Sequence, residues 1–228
     1  MLLPQAFLDG RLDQLSKELQ LLDRHVRSFA EVSGASAGSF KVRSCSHGSI
    51  EFFLSCEPVT AASLVIAIER IVELYKKMLE IRQLQKQMEQ QALPKQLIEG
   101  VRKHESEQVN KALQDTQEEI LNRYGKKDKG RKNELRKTLA DGVRYLADRI
   151  DRGVDFEVTA PPQPAPEEEP APAEGEPRAV EAPRDANLKL VEQKGHVLRF
   201  LPREDKPLLC LPPGPDDADD VAQIPEKE

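Results

Sequence analysis

The chain has 228 residues, 34 Lys and Arg against 40 Asp and Glu, seven Phe, three Tyr and no Trp. Its core must therefore rest on Leu, Ile and Val, and its three cysteines, Cys45, Cys56 and Cys210, lack the Cys-x-x-Cys spacing of a structural zinc site and are too few for a disulfide framework. The longest apolar run, Val59–Ile68, stops at Glu69, about half of the roughly 20 residues a membrane span needs, and Pro4 follows Met1–Leu3 without the apolar stretch of a signal peptide, so a cytoplasmic protein is expected.

Composition divides the chain. Of 17 prolines, 14 lie at or beyond Pro161. Residues 1–158 carry 26 Lys and Arg against 24 Asp and Glu, whereas residues 159–228 carry 8 against 16. This predicts one folded domain over 1–158, a Pro/Ala/Glu-rich linker over 159–187 and a largely disordered acidic tail over 188–228.

Leu8, Leu12, Leu15, Leu19, Leu22, Val26 and Phe29 step by 4, 3, 4, 3, 4, 3. That heptad seam predicts a helix from about Pro4 to Val32, ended by Gly34 as C-terminal cap. Ser39–Cys45 and Ser49–Cys56 read as a hairpin. A two-residue loop at His47-Gly48 mixes polar and apolar groups on both faces. A three-residue loop pairs Phe40 with Leu54, Val42 with Phe52 and Ser44 with Ile50, and sets Arg43 opposite Glu51, which makes one face apolar and is the expected register.

Pro58 suits the first position of the next helix. Leu64, Ala67, Ile71, Leu74, Met78, Ile81 and Met88 make one seam, with Val65, Ile68, Val72, Tyr75 and Leu79 beside it. Run to Gln91, that helix is roughly 50 Å long at 1.5 Å per residue, too long for its far end to sit inside a small domain. Pro94 breaks the chain. A polar helix to Tyr124 carries a weaker stripe of Leu97, Val101, Val109, Leu113, Thr116 and Ile120. Leu135, Leu139, Val143, Leu146 and Ile150 define a further helix closed by Gly153, and Val154–Val158 alternates as a strand. The fold class expected is α+β and mostly helical: a small three-stranded antiparallel-type sheet, hairpin plus late strand, covered by long helices. In the tail, Leu188–Leu201 reads as a second hairpin around Gly195-His196. Within 188–211, Leu198, Phe200, Leu201, Leu208 and Leu209 are the apolar residues expected to dock on a protein surface.

No chemistry rises above background. Gly34-Ala-Ser36-Ala-Gly38 spells a nucleophile elbow, but a helix precedes it and a strand follows, the reverse of what the strained turn needs. Cys45, His47 and Cys56 fall too far apart on the hairpin to share a metal, and His25, His104 and His196 stand alone. No catalytic residue, metal or cofactor is expected, and the chain reads as a non-enzymatic interaction or scaffold protein. It would associate with itself and with another protein through a coiled-coil-like helix interface of Ile71, Leu74, Met78, Ile81, Leu84 and Met88, in the region from Met78 to Leu121. The alternative is a binder of nucleic acid or anionic membrane through the basic stretch 123–137, with Arg123, Lys126, Lys127, Lys129, Arg131 and Lys132 as the anion-binding residues.

Overall fold

The structure, a computed structural model, describes residues 1–3, 11–35, 41–46, 50–91, 94–125, 131–160, 183–195, 207–209 and 211. In chain order the elements are β1 (Leu2–Leu3), α1 (Leu12–Ser33), β2 (Lys41–Ser46), β3 (Ile50–Ser55), α2 (Pro58–Gln90), α3 (Lys95–Tyr124), α4 (Lys132–Asp151) and α5 (Pro183–Lys194). The molecule is mostly helical. Its main core joins the inner faces of α1, α2, α3 and α4.

Helix α1 ends where a left-handed residue allows it. Gly34 sits at φ 72°, and the Ala35 amide reaches back to the Ala30 carbonyl at 2.9 Å, closing a Schellman turn. Its buried stripe is not the leucine heptad. Leu12 is 80% exposed, while Glu18, Leu22, His25, Phe29 and Val32 are buried. The two seams share Leu22, Val26 and Phe29, and Leu15 and Leu19 are half-buried against the Phe52 cluster. The helix is rolled toward a polar flank because α4 supplies partners for the polar groups there.

The small sheet departs from expectation. Strand β3 has β2 on one edge and β1 on the other, both antiparallel. Pairing runs Lys41↔Ser55, Val42↔Leu54, Ser44↔Phe53, Cys45↔Phe52 and Ser46↔Glu51, with an irregularity between Val42 and Ser44. Arg43 is the extra residue of a bulge, so it does not oppose Glu51, and neither tight-loop register applies. What fixes β3 is burial of Phe52 against Leu3 and Val154. Met1 helps to hold the same point: its ammonium donates to the Phe52 carbonyl at 3.0 Å, and its own carbonyl accepts the Phe52 amide at 2.8 Å. With that edge taken, Val154–Val158 forms no strand beyond a bridge at Asp155, although Val154 is buried and Phe156 and Val158 are half-buried.

Pro58 opens α2, and every residue from Thr60 to Ile68 is buried. The polar ones are satisfied at home: Ser63 donates to the Thr60 carbonyl at 2.8 Å, and the Thr60 and Ser33 hydroxyls meet at 3.1 Å. Helix α3 folds back antiparallel along α2, as three successive contacts show: Arg70 with Glu119 at 2.9 Å, Gln85 with Glu105 at 3.0 Å and Glu89 with Arg102 at 3.5 Å. The far half of α2 thus has a neighbour in its own chain, which the sequence does not announce because α3 is so polar.

Helix α4 packs on both α1 and α3. Its Leu139, Val143, Leu146 and Ile150 are buried, and Gly153 at φ 89° ends it. Gly142 marks a close approach to α1: a Cβ there would stand 2.6 Å from Ser28 Oγ and 3.1 Å from Phe29 Cε2. Glycine costs helix stability, but it lets the two backbones meet.

The tail does not form the second hairpin over the described part of 188–201. Residues 183–194 are the helix α5 instead, its Val191 buried against Ala61, Ala62 and Val65 of α2 and its Lys194 ammonium paired with Glu69. Two isolated strands would have no sheet to join. A single helical face lies flat on the small side chains of α2.

Candidate functional site

The interface seam proposed for α2 begins inside the molecule and ends outside it. Ile71, Leu74 and Met78 are fully buried in the chain's own core and are covered already. Ile81 is half-buried, Leu84 is 57% exposed, and Met88 is half-buried. Stepping by 3 and 4 from Ile71 through Leu74, Met78 and Ile81, the seam falls next on buried Gln85 and half-buried Met88, and Leu84 stands one residue off it, exposed on the flank. On the returning helix Ile98 is buried, while Leu97, in the first turn of α3, is 55% exposed. The distal hairpin is thus sealed on its inner side and carries leucines on its outer side.

Its inner side is polar as well. Gln85 is buried and donates its amide to Glu105 Oε2 at 3.0 Å. Glu105 Oε1 is buried with no hydrogen-bond partner among the described residues.

The basic stretch is only partly described. Arg123 is exposed at the end of α3, its guanidinium 5.7 Å from the Tyr124 ring. Arg131 is exposed and pairs with Glu134 at 3.7 Å. Lys132 begins α4, and Lys126, Lys127 and Lys129 lie outside the described residues. Farther along, Arg136 is held by Glu118 at 2.6 Å. The described arginines at 131 and 136 thus each answer an acidic neighbour.

Of the tail docking residues, Leu198, Phe200 and Leu201 lie outside the described residues. Leu208 and Leu209 are docked on their own chain, 1% and 4% exposed, with Leu211 half-buried beside the main core. Their successive amides donate to the two oxygens of Asp151, Leu208 to Oδ1 at 2.7 Å and Leu209 to Oδ2 at 2.9 Å.

Sequence reasoning missed the densest polar cluster. Between α1 and α4, Glu18 is buried and its Oε1 accepts the Tyr145 hydroxyl at 2.6 Å. Arg149 Nε reaches both oxygens of the same carboxylate, at 2.8 and 3.1 Å. The guanidinium lies 4.7 Å from the Tyr145 ring centroid, and His25 stacks on that ring at 4.6 Å. Asp148 takes a second face of Arg149 and also holds Arg152 at 3.1 Å. Burial, then the Glu18 charge, pushes the Tyr145 hydroxyl well above its ordinary range. For Arg149 burial works against the charge, and the bonds to Glu18 outweigh it and raise its pKa. Neither group is poised to exchange a proton near neutral pH, so the cluster works as a lock between two helices. The signal in the sequence was the spacing: Glu18 and His25 seven apart, Tyr145 and Arg149 four apart.

Cys56 offers no nucleophile. Burial first and the Glu57 charge second push its thiol from 9.0 up to about 11. Among the described residues no group of three or more His, Cys, Asp or Glu is placed to hold a metal, and no helix is long and apolar enough to cross a membrane. In comparisons with known proteins, no family model, no curated protein and no solved structure matches the chain.

Proposed function

We propose that this chain is a non-enzymatic interaction protein that acts as a scaffold and associates with itself through the distal end of the α2–α3 hairpin. The observation that carries this reading is the pair of exposed leucines on the two arms of the distal hairpin, Leu84 at 57% and Leu97 at 55% exposure. Large apolar side chains left in solvent beyond a helix's own core are surface for another helix. Leu97 on the facing helix extends that surface to the other arm of the hairpin, and two such hairpins brought together would complete a small bundle.

Size-exclusion chromatography with light scattering tests it. The wild-type chain should run as an oligomer at micromolar concentration. The double variant Leu84→Glu/Leu97→Glu should run as a monomer with unchanged helical signal, since both positions are exposed. A wild-type chain that is monomeric throughout that range ends the self-association reading.

A further inference from the structure

We propose that the surface closed by Asp151 is a recognition slot for a bent peptide segment bearing two successive leucines, and that Leu208–Leu209 is the built-in copy that fills it. The inference concerns a different surface from the hairpin end and does not depend on it.

Asp151 is the last residue of α4. A carboxylate there faces the negative end of the helix dipole, an unfavourable place unless something else uses it. Each of its oxygens accepts one tail amide, from Leu208 and from Leu209. Two consecutive amides closing on one carboxylate read backbone rather than side chain. They require a backbone bent at these two residues, as it is at Leu208 and Leu209, without proline at either position. Pro207, which has no N–H, stands directly before the first donor. Side-chain selection comes from burial of both leucines in the main core. Backbone amides for affinity and apolar pockets for identity are the working parts of a peptide-binding site.

The occupant is short and tethered. From Gly195, at the end of α5, to Pro207 is 12 residues, a reach of at most about 40 Å. Such a tether supplies the segment at an effective concentration on the order of millimolar, so the resident copy holds off a partner until the partner binds better or the tail is drawn away. The partner this slot fits is a protein segment that can bend at a Leu-Leu pair with both amides free.

A labelled nonapeptide of residues 205–213, titrated against the full-length chain by fluorescence polarisation, tests this. The Leu208→Ala/Leu209→Ala chain, its resident copy weakened, should bind the peptide at least about 10-fold more tightly than wild type. Adding Asp151→Asn to that chain should lower the affinity at least about 10-fold, because charge-assisted bonds become neutral ones. Equal affinity for wild type and the double-alanine chain, or indifference to Asp151→Asn, overturns the proposal. Hydrogen exchange on the wild-type chain decides the matter without any variant. The Leu208 and Leu209 amides should exchange at least about 100-fold faster than those of Val143 and Leu146, through local release of the segment. Exchange at the same rate as α4 would make the two leucines ordinary core and refute the slot.

Discussion

Glu18 and Glu105 are both drawn between two packed helices, and the two contacts treat them in opposite ways. Between α1 and α4, Glu18 receives a tyrosine hydroxyl and an arginine that spans both its oxygens. Between α2 and α3, Glu105 receives one amide from Gln85, and its other oxygen is buried without a partner among the described residues. A buried charge stabilises only when its hydrogen-bonding capacity is met, so the same residue type locks one contact and loosens the other. The proximal helices are thereby held in one arrangement, and the distal hairpin is kept together mainly by a thin apolar strip and solvent-exposed ion pairs.

The contrast is broken most severely by Glu18→Ala. It removes the carboxylate that spans the buried Arg149 guanidinium, and should lower the unfolding free energy by about 3–5 kcal/mol in urea titrations. A loss near that of an exposed residue would mean that the network carries no stability. Tyr145→Phe should cost about 1.5–3 kcal/mol, the range for a hydrogen bond to a charged group. It also has a pH signature. The unfolded tyrosine ionises near 10.0 while the folded hydroxyl, its pKa raised, keeps its proton, so wild-type stability should fall as pH rises past 10. In the phenylalanine variant that share of the fall should vanish. Gly142→Val, which forces a side chain against Ser28 and Phe29, should destabilise by about 1–3 kcal/mol through overpacking. The smallest effect carries the opposite sign. Gln85→Leu/Glu105→Leu replaces the half-satisfied pair by apolar groups and should be neutral or stabilising by up to about 1 kcal/mol, seen as an unchanged or raised melting temperature.

What the sequence reveals here is what is local. Gly34, Pro58 and Gly153 mark helix ends because a positive φ or a missing amide is a property of one residue, and the helices begin and stop where those residues stand. The roll of α1 was hidden, since burial of Glu18 depends on partners 127 and 131 positions away. The hairpin register was hidden for a related reason: turn chemistry proposes a pairing, but Phe52 is placed by Leu3 and Val154, from opposite ends of the domain. Leucines at 208 and 209 stand out as apolar in a polar tail, while the carboxylate that grips their amides has no signature at all. As for the seam of α2, its apolar period is readable as far as Ile81, but burial of the next member, Gln85, is set by Glu105 on the returning helix.

The Glu18–Arg149 pair also fixes an order of events during synthesis. At about 5–20 residues per second, the 131 residues between them take roughly 7 to 26 s to translate. For that interval the carboxylate on the flank of the first helix lacks the tyrosine and arginine that meet it in the fold. Nascent chains shorter than this span therefore cannot close the domain, and they are the species in which ribosome-associated chaperones or premature aggregation would find their opening.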